Sequence, residues 1–231
     1  ATNSNNIGTV LIDATGAVEF KTAASLFNAL TVESDQDVDI NVAITTDTGA
    51  LTIDADDDNG DDSGGDRIDM AAGLTLTSAT SITLDATTGD IVFAGAGTLD
   101  AANGVTINDD LTVNAGTLTI DADNDDNGTG TLTIAGAVAN ANRAITLTAD
   151  DLDLSSTMNA GSGTVTINES HAGGIGLGDD TALGMDVTGT EIQNITAGTV
   201  EFATAGAVNV DNISATNSNN IGTVLIDATG A

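Results

Sequence analysis

Short runs of alternating apolar and polar residues recur along the whole chain. In each run, Val, Ile or Leu takes every second position, and Thr, Asp or Asn takes most of the others. A period of two is typical of β-strands with one buried face, and the Gly, Asn, Asp and Ser residues between runs favour turns. The pattern predicts strands within 10–14, 38–44, 51–55, 74–78, 82–86, 105–109, 111–115, 118–122, 132–136, 145–149, 165–169 and 208–212. Only KTAASLFNAL, at 21–30, is helix-like.

The chain also repeats itself. Its first seventeen residues, ATNSNNIGTVLIDATGA, return unchanged at 215–231, an offset of 215 − 1 = 214 residues. A weaker repeat lies inside, where LTIDAD begins at Leu51 and again at Leu118 and leads both times into an acidic turn. We interpret 1–214 as one unit of a tandem array and 215–231 as the first rung of the next unit. In that case the two end segments share one backbone fold, related by translation along one axis plus a small twist.

Two all-β architectures suit such strands, a β-sandwich and a parallel β-helix. Aromatic residues make up 2% of the chain, with no Trp or Tyr, whereas a sandwich core usually has an aromatic anchor. Pro is absent, as suits strands that are paired on both sides. Asn and Asp end the runs VTIND and VTINE, where they can hydrogen-bond along a stack. These features favour the β-helix, and rungs of about 21 residues would give about ten rungs per 214 residues.

Four runs carry a resemblance to known families. They are GALTIDA at 49–55, SITLDATTGDIVFAGAG at 81–97, GTLTIAG at 130–136 and RAITLTADDLDLSS at 143–156. They resemble the stalks of filamentous-haemagglutinin-like adhesins and autotransporter passengers, which are secreted bacterial right-handed β-helices built as long rods. The resemblance implies a right-handed parallel β-helix (β-solenoid) at the cell surface. The duplicated end segment, for its part, predicts neighbouring copies of the repeat placed end to end. No functional residue of those families maps onto this chain.

The net charge of the chain excludes some classes of binding partner. The chain has 35 acidic residues against three basic ones, Lys21, Arg67 and Arg143, and its formal net charge is −32. This argues against nucleic acid and anionic lipid as partners and favours cations. No apolar stretch approaches the length of a membrane span, so no membrane insertion is expected. A polysaccharide lyase or hydrolase would need clustered basic groups, or paired acids beside sugar-stacking aromatics. We therefore expect a protein that is not an enzyme.

The two acidic turns are candidate Ca²⁺ loops. Asp123, Asp125, Asn127 and Gly128 fit the opening of an EF-hand-type loop, although Ile134 stands where the closing Glu would be. The recurrence after the same LTIDA strand supports calcium, and a solvated acidic turn is the alternative interpretation. The predicted ligands are Asp54, Asp56, Asp58, Asp121, Asp123, Asp125 and Asn127.

The leading functional hypothesis is a structural segment of a long extracellular β-solenoid filament or adhesin stalk. The alternative is a calcium-dependent extracellular binding module made of tandem β-sandwiches. Two smaller features are interpreted as structural. His171 is taken as an exposed lone histidine, and GGIGLGDD at 173–180 is taken as a glycine-rich turn.

Overall fold

The chain coils into stacked turns of short parallel strands. The structure, a computed structural model, describes residues 7–60, 65–179 and 183–229. It is an all-β parallel β-solenoid of about nine turns, consistent with a right-handed parallel β-helix, as the sequence predicted. Every strand pairing among the described residues is parallel. The β-sandwich alternative is therefore wrong, because a sandwich is built from antiparallel sheets.

Each turn contributes one strand to each of three faces, and strands are numbered here in chain order. The first face consists of β1 Thr9–Ala14, β4 Ala29–Ser34, β7 Leu51–Asp54, β10 Ile82–Asp85, β13 Val105–Ile107, β16 Thr131–Ile134 and β19 Asp151–Leu154. The second face consists of β2 Val18–Phe20, β5 Val38–Ile40, β8 Ile68–Met70, β11 Ile91–Phe93, β14 Leu111–Val113, β17 Val138–Ala139 and β20 Met158–Asn159. The third face consists of β3 Ser25–Phe27, β6 Ile44–Thr46, β9 Leu74–Ser78, β12 Gly97–Ala101, β15 Leu118–Asp121, β18 Ile145–Ala149, β21 Thr164–Glu169 and β26 Ile221–Ala228.

The regular course changes in the last turns. The long strand β24, Ile195–Thr204, joins two faces, because its start pairs with β20 and its later residues pair with β21 and β26. A separate sheet holds β22 Ile175–Gly178, β23 Met185–Thr188 and β25 Val208–Asp211. The short helix α1, Gly189–Asn194, connects β23 to β24. Thr188 and Glu191 form a capping box at its N-terminus. No described helix is long and apolar enough to cross a membrane.

The core is a set of aliphatic columns that run along the solenoid axis. Because partner strands pair in register, each inward side chain stacks on an inward side chain of the next turn. One column on the first face consists of Leu30, Leu51, Ile82, Val105, Leu132 and Leu152. All of these are buried. The predicted polar stacking is also present, since Asn108 Nδ2 donates to Asp85 Oδ2 (2.6 Å) and Asn124 Nδ2 donates to Asp100 Oδ1 (2.6 Å).

Turns are longer than the sequence suggested. On the first face, Val10 and Leu152 occupy one column six turns apart, so a turn takes (152 − 10)/6, or about 24 residues. The predicted value was about 21. The largest excess lies between Leu51 and Ile82, which are partners 31 residues apart. The corner from 55 to 67 accounts for it, and about nine turns form instead of ten.

Repeated sequences do not return to the same face. The LTIDAD copy at Leu51 forms β7 on the first face, and the copy at Leu118 forms β15 on the third. The end segments behave alike: β1 opens the first face and β26 closes the third. Thr9–Ala14 and Ile221–Ala228 are both strands, whereas residues 1–6 lie outside the described residues, so a shared fold of the two whole segments stays a prediction. The expectation that the two strands are related by translation and only a small twist is wrong, because they lie on different faces. The lengths of the intervening corners make the distance from β1 to β26 a non-integer number of turns.

Two local interpretations also change. The helix-like stretch 21–30 forms β3 and the start of β4, because stacking on the next turn outweighs local helical preference. The glycine-rich stretch contains β22, with Ile175 and Leu177 buried and strands paired on both sides. Its turn-forming character is confined to Gly174 and Gly178, which have φ of +88° and +90°.

Candidate functional site: two acidic corners

The second LTIDAD copy leads into a corner, residues 122–130, that closes around one buried carboxylate. Asp123 is fully buried. Its Oδ1 accepts the backbone N–H of Asn127 (3.2 Å), and its Oδ2 accepts that of Gly128 (3.1 Å) and the hydroxyl of Ser170. Gly128 has φ +79°, and a Cβ there would lie 3.0 Å from the His171 ring, so only glycine suits this point of the corner.

Above this corner, Asp150, Glu169 and His171 bring their polar atoms within 4.8 Å of one another. Asp150 follows β18 and Glu169 ends β21, so successive turns of the third face supply the cluster. His171 Nδ1 lies 3.1 Å from Glu169 Oε1 and 2.7 Å from Asp150 Oδ1. His171 and Asp150 are close enough to form an ion pair, but Asp150 Oδ1 accepts no hydrogen bond of good geometry from the described residues. The interpretation of His171 as a lone histidine is therefore wrong, because neighbouring turns surround it with carboxylates.

Glu169 anchors the cluster from inside the solenoid. Its side chain is fully buried. Oε1 accepts the backbone N–H of His171 (3.0 Å) and Gly173 (2.8 Å), and Oε2 accepts the hydroxyl of Thr204 (2.7 Å). Burial by itself raises the pKa of Glu169, yet the hydrogen bonds from Thr204 and the backbone outweigh it and hold the pKa below its usual value. Glu169 is thus a buried, charged side chain that fixes the backbone of the turn after β21.

The other two carboxylates differ in their titration. Burial raises the pKa of Asp150, and the opposing effect of His171 does not cancel it. Burial also acts to raise the pKa of Asp123, but the donors Ser170, Gly128 and Asn127 lower it below the usual value. One imidazole nitrogen and two carboxylate oxygens are chemically able to ligate a divalent metal. Glu169 Oε1 already accepts two backbone donors, however, so the observed chemistry is that of a clamp between turns.

The first LTIDAD copy leads into a longer corner, residues 55–67. Asp56 takes the place that Asp123 has in the second corner and is equally buried. Its Oδ2 accepts the backbone N–H of Thr88 from the next turn (2.7 Å), whereas its Oδ1 has no hydrogen-bond partner among the described residues. Asp66, also buried, contacts the Thr88 hydroxyl (3.3 Å). The two corners share a sequence but differ in how their buried carboxylate is satisfied.

The seven predicted calcium ligands are held mainly by backbone amides and a side-chain amide. Asp54 and Asp121 accept the N–H of Asp56 and Asp123, at 3.1 and 3.2 Å. Partial burial raises the pKa of both Asp54 and Asp121. The exposed Asp58 accepts the N–H of Gly60. In the second corner, Asp125 and Asn127 bond to each other (2.8 Å). Among the described residues, none of the seven belongs to the three-residue cluster, and calcium binding by this set stays a prediction.

Sequence reasoning missed Thr88, Asp150, Glu169 and Ser170 because they lie far along the chain from the corners they complete. It missed Asp66 because this residue, at the far end of the first corner, lies outside the LTIDAD motif. Ser170 is 47 residues from Asp123, and Thr88 is 32 from Asp56. One signal was present. Glu169 occupies an apolar position of the alternation in VTINE, where Val165 and Ile167 point inward. A carboxylate at an inward position indicates a buried group that needs several donors.

Comparison of the chain with protein-family models, with curated proteins and with solved structures gives no match.

Proposed function

We propose that this chain is a structural segment of a long extracellular filament or adhesin stalk, and that its role is mechanical rather than catalytic. The carrying observation is the unbroken stack of in-register parallel strands around aliphatic columns. Such a stack has strands that run across its long axis, with every inner strand hydrogen-bonded on both sides. It resists bending and grows simply by adding turns. The absence of Trp and Tyr and the net charge of −32 support a solvated rod.

The proposed partner is a neighbouring copy of the same repeat, placed end to end. On β26, Val224, Leu225 and Ile226 remain 44%, 47% and 43% exposed. Val224 and Ile226 pair with Val200 and Phe202, so they continue two columns of the buried core. A further turn stacked on β26 would bury Val224 and Ile226. The identity of 215–231 with 1–17 indicates which sequence would form that turn.

The placement of the two identical segments sets the geometry of this array. From β1 to β26 the chain advances eight turns and two faces. A following unit would therefore start one face away from the preceding unit, a rotation of about a third of a turn, and every third unit would be in phase again. Each unit of nearly nine turns would lengthen the rod by about 42 Å, since stacked strands lie about 4.8 Å apart.

The experiment compares proteins that contain one, two and three consecutive copies of 1–214, each followed by 215–231. Small-angle scattering should give one constant cross-section, with the rod length increasing by about 42 Å per copy. Electron micrographs should show unbroken rods. Separate beads joined by linkers, or a cross-section that grows with copy number, would contradict the array.

The cell-surface part of the proposal rests on the resemblance of four sequence runs to secreted stalks, and it needs its own test. Antibodies raised against this segment should label intact source cells, and added protease should remove the label. Labelling that appears only after cells are permeabilised would overturn the extracellular assignment and leave the rod architecture untouched.

A further inference from the structure

The first acidic corner holds a buried carboxyl group, that of Asp56, which the described residues satisfy only in part. Asp56 is 0% exposed. One of its oxygens accepts the N–H of Thr88, and the other has no hydrogen-bond partner in the part of the chain that the structure describes. A buried carboxylate oxygen without a donor is costly, so the observation points to a missing positively charged ligand.

More oxygen atoms gather beside this carboxylate. The Thr88 residue that donates its N–H to Asp56 also places its hydroxyl 3.3 Å from Asp66 Oδ2 and 3.3 Å from the carbonyl oxygen of Gly60. One hydroxyl hydrogen cannot serve both acceptors well at that distance. The spacing does suit oxygens around a common cation, because two ligands at right angles and 2.4 Å from Ca²⁺ lie about 3.4 Å apart.

No basic side chain supplies the missing charge to Asp56. The protein has three basic residues, and each has a different contact: Lys21 pairs with Glu19, Arg67 pairs with Asp69, and Arg143 donates to the carbonyl of Ala141. Thr88 itself is exposed, so a small ion can reach the corner from solvent.

We propose that the first acidic corner binds one Ca²⁺, with ligands from Asp56, Asp66, the Gly60 carbonyl and the Thr88 hydroxyl. All four are hard oxygen donors, and water completes the six to eight ligands that Ca²⁺ takes. The set differs from the EF-hand-like pattern in the sequence. Asp54 and Asp58 accept amides of their own loop, and the ligands from the next turn, such as Thr88, are invisible to a local motif.

Calorimetric titration of the whole chain with CaCl₂ at fixed ionic strength tests the site. Wild type should bind Ca²⁺ and gain about 5 °C in melting temperature at a hundredfold excess over Kd. Asp56→Asn should abolish the binding heat of this site and the gain. Asp57→Asn, which removes the same charge from an exposed side chain of the same corner, should keep both. MgCl₂ should give a weaker effect, because Mg²⁺ demands an octahedral site and holds its water.

Asp56→Asn should still fold, because its amide oxygen can accept the N–H of Thr88 and the substitution keeps the size of the side chain. In chelator it should melt at or above the wild-type temperature. If it does not fold, Thr88→Val decides, since it keeps the backbone donor and removes only the hydroxyl; Kd should rise by at least about tenfold. The proposal is overturned if wild type neither binds Ca²⁺ nor gains stability. It is equally overturned if Asp56→Asn, or Thr88→Val in its place, binds as tightly as Asp57→Asn.

Discussion

Two corners of the solenoid begin with the same six residues, LTIDAD, and reach different states. In both, the first Asp accepts the backbone N–H of the second, and the second Asp is fully buried. In the second corner, Asp123 receives three donors. In the first, the described residues give Asp56 one donor and leave its other oxygen without a partner. The same local sequence therefore specifies the burial of a carboxylate but not its compensation.

The difference arises from what surrounds each corner. The second corner turns back at Gly128, so amides of its own loop point at Asp123, and Ser170 reaches it from two turns away. The first corner is longer and leads to the second face, and the next turn offers Asp56 only the amide of Thr88. A self-satisfied corner acts as a structural clamp. An incompletely satisfied corner is suited to binding an ion.

The largest effect is expected from Asp123→Ala. It leaves Ser170 and the amides of Asn127 and Gly128 without their acceptor, at a cost of about 3 kcal/mol or more in unfolding free energy. Thermal melting should fall by roughly 6–12 °C at 2–4 °C per kcal/mol. The exposed Asp125→Ala in the same corner is the control and should change melting by about 1 °C. Similar melting of the two variants would show that Asp123 does not clamp the corner.

Acid should erase the contribution of Asp123. Its pKa is lower in the folded protein than its ordinary value of 3.8, so its stabilisation is complete above that value and is lost as pH falls through the folded pKa. The melting temperatures of wild type and Asp123→Asn should differ at pH 7, and the difference should shrink as pH falls below 3.8 and through the folded pKa. A difference that does not shrink in acid would contradict the charged state of Asp123.

Ser170→Ala should have a smaller effect, because it removes one of the three donors to Asp123 and leaves the loop amides in place. A hydrogen bond to a charged group contributes about 1.5–3 kcal/mol, so melting should fall by roughly 3–12 °C, and by less than in Asp123→Ala. Ser155→Ala provides the matched control, since Ser155 donates to the carboxylate of Asp153 in an exposed setting. Equal losses of melting temperature in the two variants would show that burial of Asp123 does not strengthen its hydrogen bond with Ser170.

The smallest effect tests the part that the corners share. Asp54→Asn and Asp121→Asn both keep an oxygen that can accept the backbone N–H two residues further along the chain. Both remove a carboxyl group whose pKa is raised by partial burial. Each should change the unfolding free energy by less than about 0.5 kcal/mol, in the same direction. Chemical denaturation measures this. Opposite signs would mean that the corners already differ at their first Asp.

Much of the fold was predictable because it depends on local alternation. Runs such as LTLTS and ITLTA form the strands Leu74–Ser78 and Ile145–Ala149 with the expected bounds. Some strands were missed because they are too short to show a period, such as Val138–Ala139, and others because Ala, Gly and Thr interrupt the apolar alternation, as in Ile195–Thr204. The run at 38–44 became two strands with a corner between them, since a change of face leaves the alternation almost unchanged.

The sequence by itself determined that this chain forms short strands with aliphatic inner faces, acidic corners and repeated motifs. These properties follow from side-chain periodicity and turn preference within a few residues. Only the tertiary structure decided which face each repeat occupies, because that depends on the summed lengths of all preceding corners. It also decided that Ser170 completes Asp123 and that Thr88 contacts both Asp56 and Asp66. Stacking brings together residues one or two turns apart, and that distance along the chain is beyond the reach of any local pattern.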